Sequence, residues 1–314
     1  MKLIWIAAIM LLLQPVQPMP PSENKNDASF AVEFKGKNVA SANRAGYTLP
    51  GMTMVDMKKY QRFVDTIHKK VYEPPQNAKI GSSGKIVKEQ VGYELDRFAM
   101  MQHFYTYFYG SGPYSAEAPR KTVYPRVDSE LLANIRVKAI GNYATYYNSS
   151  NKNRSNNIAI ASKALDNQVV FPGETFSFNR AIGKRTLDKG YMKAPVIVRG
   201  ELSEGIGGGI CQVSSTLYNA IDRAGLKIVQ RYSHSKSVPY VLPGRDATVS
   251  WDGPDFVFLN QYNQPILIRA FAGSGTMYVS VHSSDVIDYK PRVIPSMSTE
   301  LPEEVSTETN AASP

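Results

Sequence analysis

The stretch GGGICQVSSTLYNAIDRA, residues 207–224, joins three consecutive glycines, the only cysteine of the chain and an amphipathic helix. Its apolar residues recur at helical spacing, at Val213, Leu217, Ile221 and Ala224. This spacing predicts a helix with one face in a core, preceded by glycines that allow backbone conformations which other residues resist. Cys211 is therefore expected at the start of a helix, where free N–H groups and the helix dipole favour a thiolate.

A thiolate in this position can act as a nucleophile on an amide or ester carbonyl. His234, within RYSHSKSVPY, would take the thiol proton and later give it to the leaving group, and Asp246 or Asp255 would orient the imidazole. Backbone N–H groups after the glycines, with Gln212, would supply an oxyanion hole. The alternative is that Cys211 is a small buried filler, and that the glycines only permit close contact between helix and strand.

Five stretches, in this order along the second half of the chain, resemble the VanW family. They are NNIAIASKALDNQVVFPGETFSFN (156–179), GYMKAPVIV (190–198), GGGICQVSSTLYNA (207–220), RYSHSKSVPYVLPGRDATV (231–249) and DFVFLN (255–260). An ordered set of this length is specific, and the run Gly-Gly-Gly-Ile-Cys-Gln is its strongest part. The resemblance implies a bacterial cell-envelope protein, and a preceding domain of the kind proposed to bind peptidoglycan. It implies no settled chemistry.

The N-terminus has the form of an export signal, since Lys2 precedes an apolar run too short to span a bilayer, and several prolines follow it. We expect a signal peptide or N-terminal anchor over 1–20, a linker over 21–45, a peptidoglycan-binding domain over 46–120, a VanW-like domain over 121–284 and a disordered acidic tail over 285–314. The protein would then be extracellular and associated with the cell envelope.

Helical and strand patterns occur in separate blocks of the chain, which predicts an α+β fold. In the first domain, a helix over 53–72, a hairpin around GSSG at 81–84 and a helix over 95–109 predict a small helix-hairpin-helix unit. After the helix that begins near Cys211, short strands bounded by turn residues predict a larger and mostly antiparallel domain.

The chain carries 36 lysines and arginines against 27 acidic residues, a net charge of +9. The last thirty residues hold six acidic and two basic residues, so the tail is −4 and the remainder +13. A basic exported protein would meet wall polymers or anionic lipids, and we expect peptidoglycan or another anionic wall polymer as partner. Membrane association through the N-terminal segment is left open. Nucleic acid is not an expected partner, because no nucleic-acid-binding motif is present.

One cysteine excludes an internal disulfide, and four scattered histidines do not predict a metal site or a cofactor. Candidate ligand-binding residues surround the glycine-rich bend, namely Gly207, Gly208, Gly209, Gln212, Ser214, Ser215, Arg199, Arg231 and Arg245. The arginines would pair with carboxylates such as a stem-peptide terminus. The expected function is engagement of peptidoglycan or its precursors, either as a cysteine-dependent hydrolase or transpeptidase of stem peptides or as a non-catalytic binding or structural module.

Overall fold

The computed structural model of the 314-residue chain describes residues 29–198 and 201–299, without the side chains of residues 197, 198, 201 and 202. The predicted signal peptide or anchor over 1–20 lies outside the described residues. Within the described part, no helix is both long and apolar enough to cross a membrane.

The helices are α1 (Arg44–Tyr47), α2 (Met57–Val71), α3 (Arg97–Tyr109), α4 (Ser129–Ile135), α5 (Lys152–Leu165), α6 (Phe178–Ile182) and α7 (Ile210–Arg223), with a 3-10 helix at Leu187–Lys189. The strands are β1 (Ser29–Phe34), β2 (Lys37–Asn43), β3 (Lys79–Ile80), β4 (Ile86–Val87), β5 (Gly92–Leu95), β6 (Tyr114–Glu117), β7 (Arg120–Val123), β8 (Lys138–Tyr146), β9 (Gln168–Val170), β10 (Thr175–Ser177), β11 (Lys193–Val198), β12 (Glu201–Ile206), β13 (Lys227–Gln230), β14 (Val257–Leu259), β15 (Ile266–Gly273) and β16 (Thr276–Ser283). These helices and mainly antiparallel strands confirm the α+β class.

The first compact unit comprises the described residues of Met1–Pro75 together with Val91–Tyr124. Its sheet has the order β2-β1-β6, in which β1 runs antiparallel to β2 and parallel to β6. Helices α2 and α3 contribute to an aromatic core around Phe30, which stacks on Tyr107 with ring centroids 5.4 Å apart. Helix α2 begins at Met57, later than predicted, because the Asp56 carboxylate accepts hydrogen bonds from the backbone of the first turn.

Part of the segment that the sequence predicted as a linker, 21–45, is folded. Residues 29–43 form the β1–β2 hairpin, and the side chains of Phe30 and Val32 are fully buried. Phe30 and Val32 alternate with more polar or smaller residues, so one face of the strand is apolar and is buried against the two helices. The linker prediction is therefore wrong for these residues.

The predicted helix-hairpin-helix arrangement of the first domain also needs correction. The hairpin β3–β4 lies between α2 and α3 in sequence, but residues Gln76–Gln90 belong to the second compact unit. Ala78 and Ile80 are buried there in a small cluster with Leu132 and Leu267. Local pattern predicted the hairpin itself but not the core that it joins.

The second unit comprises Gln76–Gln90 and the described residues of Pro125–Pro314. Its main sheet is antiparallel, in the order β8-β16-β15-β9, and α5 and α7 pack against it. Gly141 in β8 permits the close approach of α7, because a Cβ there would lie 2.4 Å from the carbonyl oxygen of Ala220. A second antiparallel sheet has the order β10-β14-β13, and β11 pairs with β12.

The start of the predicted disordered tail, 285–314, is ordered as far as Thr299. Ile287 is 5% exposed and joins the main core of the second unit. The Arg292 guanidinium donates to the Asp222 carboxylate at 2.6 Å, and Arg223 donates to the backbone of Ile294. These contacts attach the segment to the C-terminal end of α7, so the disorder prediction is wrong for 285–299. Residues 300–314 lie outside the described part of the chain.

Candidate functional site

The three glycines before α7 form a tight corner between β12 and the helix. Gly207 and Gly209 have φ angles of +90° and +102°, which L-amino acids with side chains rarely adopt. Gly208 has an ordinary φ, but a Cβ there would lie 2.6 Å from the carbonyl oxygens of both Ala194 and Pro195. Glycine is therefore required at 207 and 209 by conformation and at 208 by close packing against β11.

Cys211 lies in the first turn of α7, as the sequence predicts, and its side chain is partly buried. The sulfur lies 3.6 Å from the carbonyl oxygen of Val249 and 3.7 Å from Oγ1 of Thr248. The imidazole of His234 is close enough to the thiol for each group to shift the pKa of the other. Cys211 is thus in contact with polar groups of the loop 231–250 and is not enclosed by aliphatic side chains alone.

His234 and Asp246 form the next link of the site. Asp246 Oδ2 lies 2.7 Å from the imidazole Nδ1 and accepts a second hydrogen bond, at 2.6 Å, from the backbone N–H of His234. The two side chains are only 6% and 9% exposed. Because Asp246 occupies Nδ1, the imidazole is fixed in orientation, and its other nitrogen is left for the thiol. The structure therefore brings Cys211, His234 and Asp246 together.

Asp255, the other carboxylate considered for orienting the imidazole, has a different set of partners. Its oxygens accept hydrogen bonds from the Ser177 hydroxyl and from the backbone N–H groups of Asn179 and Phe256. These bonds fix the start of α6 relative to the strand β14. Asp246 is thus the carboxylate that contacts His234.

The three groups shift one another's pKa values in a consistent direction. Burial raises the pKa of the Cys211 thiol, but the hydrogen bond and positive charge of His234 outweigh it, so the pKa is lowered. Burial lowers the pKa of His234, but Cys211 and Asp246 outweigh that effect and raise it. Burial likewise raises the pKa of Asp246, and its hydrogen bonds from His234 bring it below the ordinary value. The arrangement favours a thiolate beside an imidazolium.

The side chains predicted to bind ligand from α7 are oriented into the protein. Gln212, Ser214 and Ser215 are fully buried. The Gln212 amide donates to Oγ1 of Thr145 and to a backbone carbonyl, each at 3.0 Å, so its N–H groups do not serve an oxyanion hole. Ser214 and Ser215 bond to the backbone of Ala247 at 2.9 Å. These three side chains are thus engaged in hydrogen bonds within the protein, and their role in ligand binding stays a prediction.

The predicted ligand-binding arginines lie in different surroundings. Arg231 donates to the backbone carbonyls of Gly244 and Asp246, at 2.8 and 3.1 Å, and so closes the loop that carries His234. Arg245 pairs with Asp222 at 2.7 Å near the far end of α7 and is not brought to Cys211. Arg199 lies outside the described residues.

Sequence reasoning missed three residues close to Cys211. Arg154 of α5 donates to the Gln212 side chain at 2.5 Å and lies 5.9 Å from the ring centroid of Tyr240. Tyr240 is 8% exposed, and its pKa is raised well above 10 by burial and by the charge of Cys211. Arg185 is close enough for the charge of Cys211 to act on its guanidinium. Arg154 and Arg185 lie outside the five stretches that carry the family resemblance. Tyr240 lies within the stretch 231–249, but its spacing does not distinguish it from a core aromatic residue.

A cavity of about 700 Å³ lies elsewhere in the second unit, along β9, β10 and α6, and its lining includes Arg126, Glu174 and Arg180. It contains none of Cys211, His234 and Asp246. Among residues 29–198 and 201–299, no group of three or more histidine, cysteine or acidic side chains is arranged to hold a metal ion.

Two family models match successive parts of the chain. A family model described as "VanW like protein" matches residues 153–282, and one described as "Putative peptidoglycan binding domain" matches residues 25–107. The protein YoaR of Bacillus subtilis (strain 168) is 55% identical over 307 residues, covering 97% of this chain and 99% of YoaR. The vancomycin B-type resistance protein VanW of Enterococcus faecalis (strain ATCC 700802 / V583) is 35% identical over 104 residues, covering 32% of this chain and 38% of that protein. No solved structure gives a significant match.

Proposed function

This chain belongs to the VanW family and carries an N-terminal peptidoglycan-binding domain, and from these premises we propose that it is an exported, cysteine-dependent acyl-transfer enzyme acting on peptidoglycan stem peptides. Family and domain support a cell-envelope protein that binds a wall polymer. The chemistry is our inference from the surroundings of Cys211.

The observation that carries the proposal is the placement of Cys211 beside His234, whose imidazole Nδ1 is hydrogen-bonded to Asp246. A buried structural cysteine needs no imidazole, and a surface histidine needs no buried carboxylate. Here a thiol at a helix start meets a histidine whose second nitrogen is held by a carboxylate at 2.7 Å. A nucleophile, a base and an orienting group in contact are the components of acyl transfer through a covalent intermediate.

The steps follow from this arrangement. The Cys211 thiolate attacks the carbonyl carbon of an amide, and a carbon–sulfur bond forms while the carbonyl oxygen takes the negative charge. As the carbon–nitrogen bond breaks, the His234 imidazolium gives its proton to the leaving amine, and a thioester remains. A water or an acceptor amine then attacks the thioester, His234 takes the proton of that nucleophile, and the thiolate leaves. Water gives hydrolysis, and an amine gives transpeptidation.

The first turn of α7 offers a donor for the carbonyl oxygen during attack. The N–H groups of Ile210 and Gln212 are bonded to the carbonyls of Gly207 and Gly209, at 3.2 and 3.1 Å. The N–H of Cys211 between them has no backbone partner among the described residues. A free N–H at the positive end of a helix dipole suits an oxyanion. We therefore propose the Cys211 N–H, and not the Gln212 side chain, as the oxyanion donor.

The test uses muropeptides as substrates and thiol alkylation as an independent readout. Because Cys211 is the only cysteine, iodoacetamide reports on this sulfur alone. We expect Cys211→Ala and Cys211→Ser to abolish muropeptide turnover, and His234→Ala to reduce turnover and to slow alkylation near neutral pH. Ser235→Ala, an exposed neighbour of His234, serves as the control and should match the wild type. Turnover that survives in Cys211→Ala would contradict the proposal.

A non-catalytic wall-binding role is the alternative, and one feature of the first unit supports wall binding in either case. A cavity of about 470 Å³ there is bordered by Lys59, Arg62 and Lys70 along one side of α2. Sedimentation with purified peptidoglycan measures this activity separately. We expect Cys211→Ala to sediment as the wild type does. Wall binding together with slow, ordinary alkylation of Cys211 would favour the alternative.

A further inference from the structure

Arg185 occupies an unusual position beside the glycine corner. Its aliphatic stem lies against Gly207, where an added Cβ would be 3.2 Å from the arginine Cβ. Its Nη2 donates to Oδ1 of Asn179 at 2.8 Å, and its guanidinium carbon lies 5.8 Å from the centroid of the Phe178 ring. Asn179 is itself held through its amide nitrogen by the carbonyls of Ser250 and Pro254, at 2.8 and 3.0 Å. The guanidinium is therefore fixed from one side.

The other side of the guanidinium is buried and unsatisfied. Nη1 of Arg185 is inaccessible to solvent and has no hydrogen-bond partner among the described residues, and the same is true of the hydroxyl of Tyr191. Tyr191 is 2% exposed. The charge of Arg185 acts on both Tyr191 and Cys211. Two buried donors without acceptors among the described residues cost free energy, and a ligand that displaced the groups covering them would supply the acceptors.

Among the residues that the structure describes, no carboxylate fills this role. Asp255 is the acidic side chain whose charge acts on Arg185, but its oxygens already accept from Ser177, Asn179 and Phe256. Burial lowers the pKa of Arg185, and the charges of Tyr191, Cys211 and Asp255 offset only part of that effect. The missing partner is thus an anionic acceptor of the kind that guanidinium groups bind through two oxygens.

We propose that Arg185 and Tyr191 form a carboxylate-binding subsite beside Cys211, and that the substrate presents a free carboxylate near its scissile amide. This inference rests on the proposed function for its biological meaning. The ligand class is then a peptide with an unblocked acid group, and an amidated or esterified counterpart would bind poorly. Arg185 would act as a specificity-determining residue, because it contacts the substrate at a distance from the bond that breaks.

The decisive test compares two alkylating reagents of the same size and different charge. Iodoacetate and iodoacetamide both transfer a two-carbon group to sulfur, so a carbon–sulfur bond forms and iodide leaves. The ratio of their rate constants cancels the thiolate fraction of Cys211 and reports on the surroundings of the incoming group. We expect the iodoacetate to iodoacetamide ratio to fall about 10-fold or more in Arg185→Met and less in Arg185→Lys, since a hydrogen bond to a charged group contributes about 1.5–3 kcal/mol. Tyr191→Phe should lower it by a smaller factor.

Arg180→Met is the matched control, because Arg180 is an exposed arginine five residues earlier and should leave the ratio unchanged. An equal ratio in wild type and Arg185→Met, with both proteins folded by circular dichroism, would overturn the subsite. So would a wild-type Cys211 that reacts with neither reagent.

Matched stem peptides, one ending in a carboxylate and one in a carboxamide, separate this proposal from the proposed function. If neither peptide is turned over but the alkylation ratio depends on Arg185, the enzyme proposal fails and the subsite stands. If both are turned over equally well, the subsite fails and the enzyme proposal stands. Preference for the carboxylate peptide that is lost in Arg185→Met supports both.

Discussion

Replacement of Asp246 by asparagine should uncouple the imidazole from its counter-charge while keeping the shape of the site. The Asp246 carboxylate accepts hydrogen bonds from Nδ1 and from the backbone N–H of His234, at 2.7 and 2.6 Å, and its side chain is 9% exposed. An asparagine carbonyl can accept the same bonds without the negative charge. A hydrogen bond to a charged group contributes about 1.5–3 kcal/mol, and part of this contribution would be lost. The pKa of the His234 imidazolium should therefore fall.

The pH dependence follows from the direction of each shift. The pKa of Cys211 is lowered, so its thiolate forms below the usual titration range of a thiol and is lost as the pH falls through this lowered pKa. The pKa of His234 is raised, so its positive charge is lost only as the pH rises through this raised pKa. The thiolate and imidazolium coexist between these two values. Asp246→Asn should narrow this interval from its upper end and move the onset of thiolate formation to higher pH.

The assay is the second-order rate constant of iodoacetamide alkylation, measured over a series of pH values. Asp252→Asn is the control, because Asp252 is an exposed carboxylate six residues away in sequence. Asp246→Asn should also reduce turnover of any substrate by about 10- to 150-fold, the factor equivalent to 1.5–3 kcal/mol. A pH profile that overlays that of the wild type, or an equal displacement in Asp252→Asn, would refute the assignment of Asp246 as the partner of His234.

The free energy of unfolding should also depend on pH through Asp246. Because the folded pKa of Asp246 is below its unfolded value, its contribution to stability is present above the unfolded pKa and is lost as the pH falls through the folded pKa. The difference in the free energy of unfolding between wild type and Asp246→Asn should therefore shrink at pH values below about 4. Urea titrations at neutral and acidic pH measure this difference.

Two further predictions concern the fold. Gly208→Ala should destabilise the second unit strongly, since the new Cβ would lie 2.6 Å from two backbone carbonyl oxygens. Gly244→Ala, where a Cβ meets open space, should cost only about 1 kcal/mol of backbone strain. Thermal denaturation compares the two variants, and equal losses of stability would contradict the close-packing argument. Phe30→Ala should lower the free energy of unfolding in urea by about 3–5 kcal/mol, because Phe30 is 0% exposed. Phe98→Ala, at a side chain that is 64% exposed, should lower it little. An unchanged free energy of unfolding in Phe30→Ala would restore the linker interpretation.

The sequence predicted local structure best where a residue type has few structural roles, as with the three glycines. Three glycines before an apolar helical stripe predicted the corner and the helix, because few other reasons place glycines there. The lone cysteine at the helix start drew attention to a histidine and a carboxylate later in the chain, and these three side chains are in contact. What spacing could not decide was which carboxylate faces the imidazole, since Asp246 and Asp255 both follow His234 at compatible distances in sequence.

The remaining features depend on contacts between distant segments. Arg185 and Tyr191 approach Cys211 only because β11, β12 and the glycine corner fold back on the segment before them. The two strands at the N-terminus did carry the alternation of a half-buried sheet, but polar neighbours concealed a signal only six residues long. The orientation of the Gln212 side chain is another feature that sequence spacing does not decide. A polar side chain beside a nucleophile can face either way, and sequence spacing does not distinguish the two faces of a first helical turn.

The β3–β4 hairpin belongs to the second unit although it lies between two segments of the first unit in sequence, and this affects how fragments of the protein can be designed. A recombinant fragment cut at the family boundary, residue 107, would retain residues 76–90 but lose Leu132 and Leu267, and it would present Ala78 and Ile80 to water. The two ends of the segment 76–90 are hydrogen-bonded to each other, with Gln76 and Gln90 exchanging backbone bonds of 2.8 and 2.9 Å. A two-residue turn could therefore join position 75 to position 91. A fragment shortened in this way and extended to Tyr124, so that it keeps β6 and β7, would be a better design for crystallisation or wall-binding assays than the contiguous one.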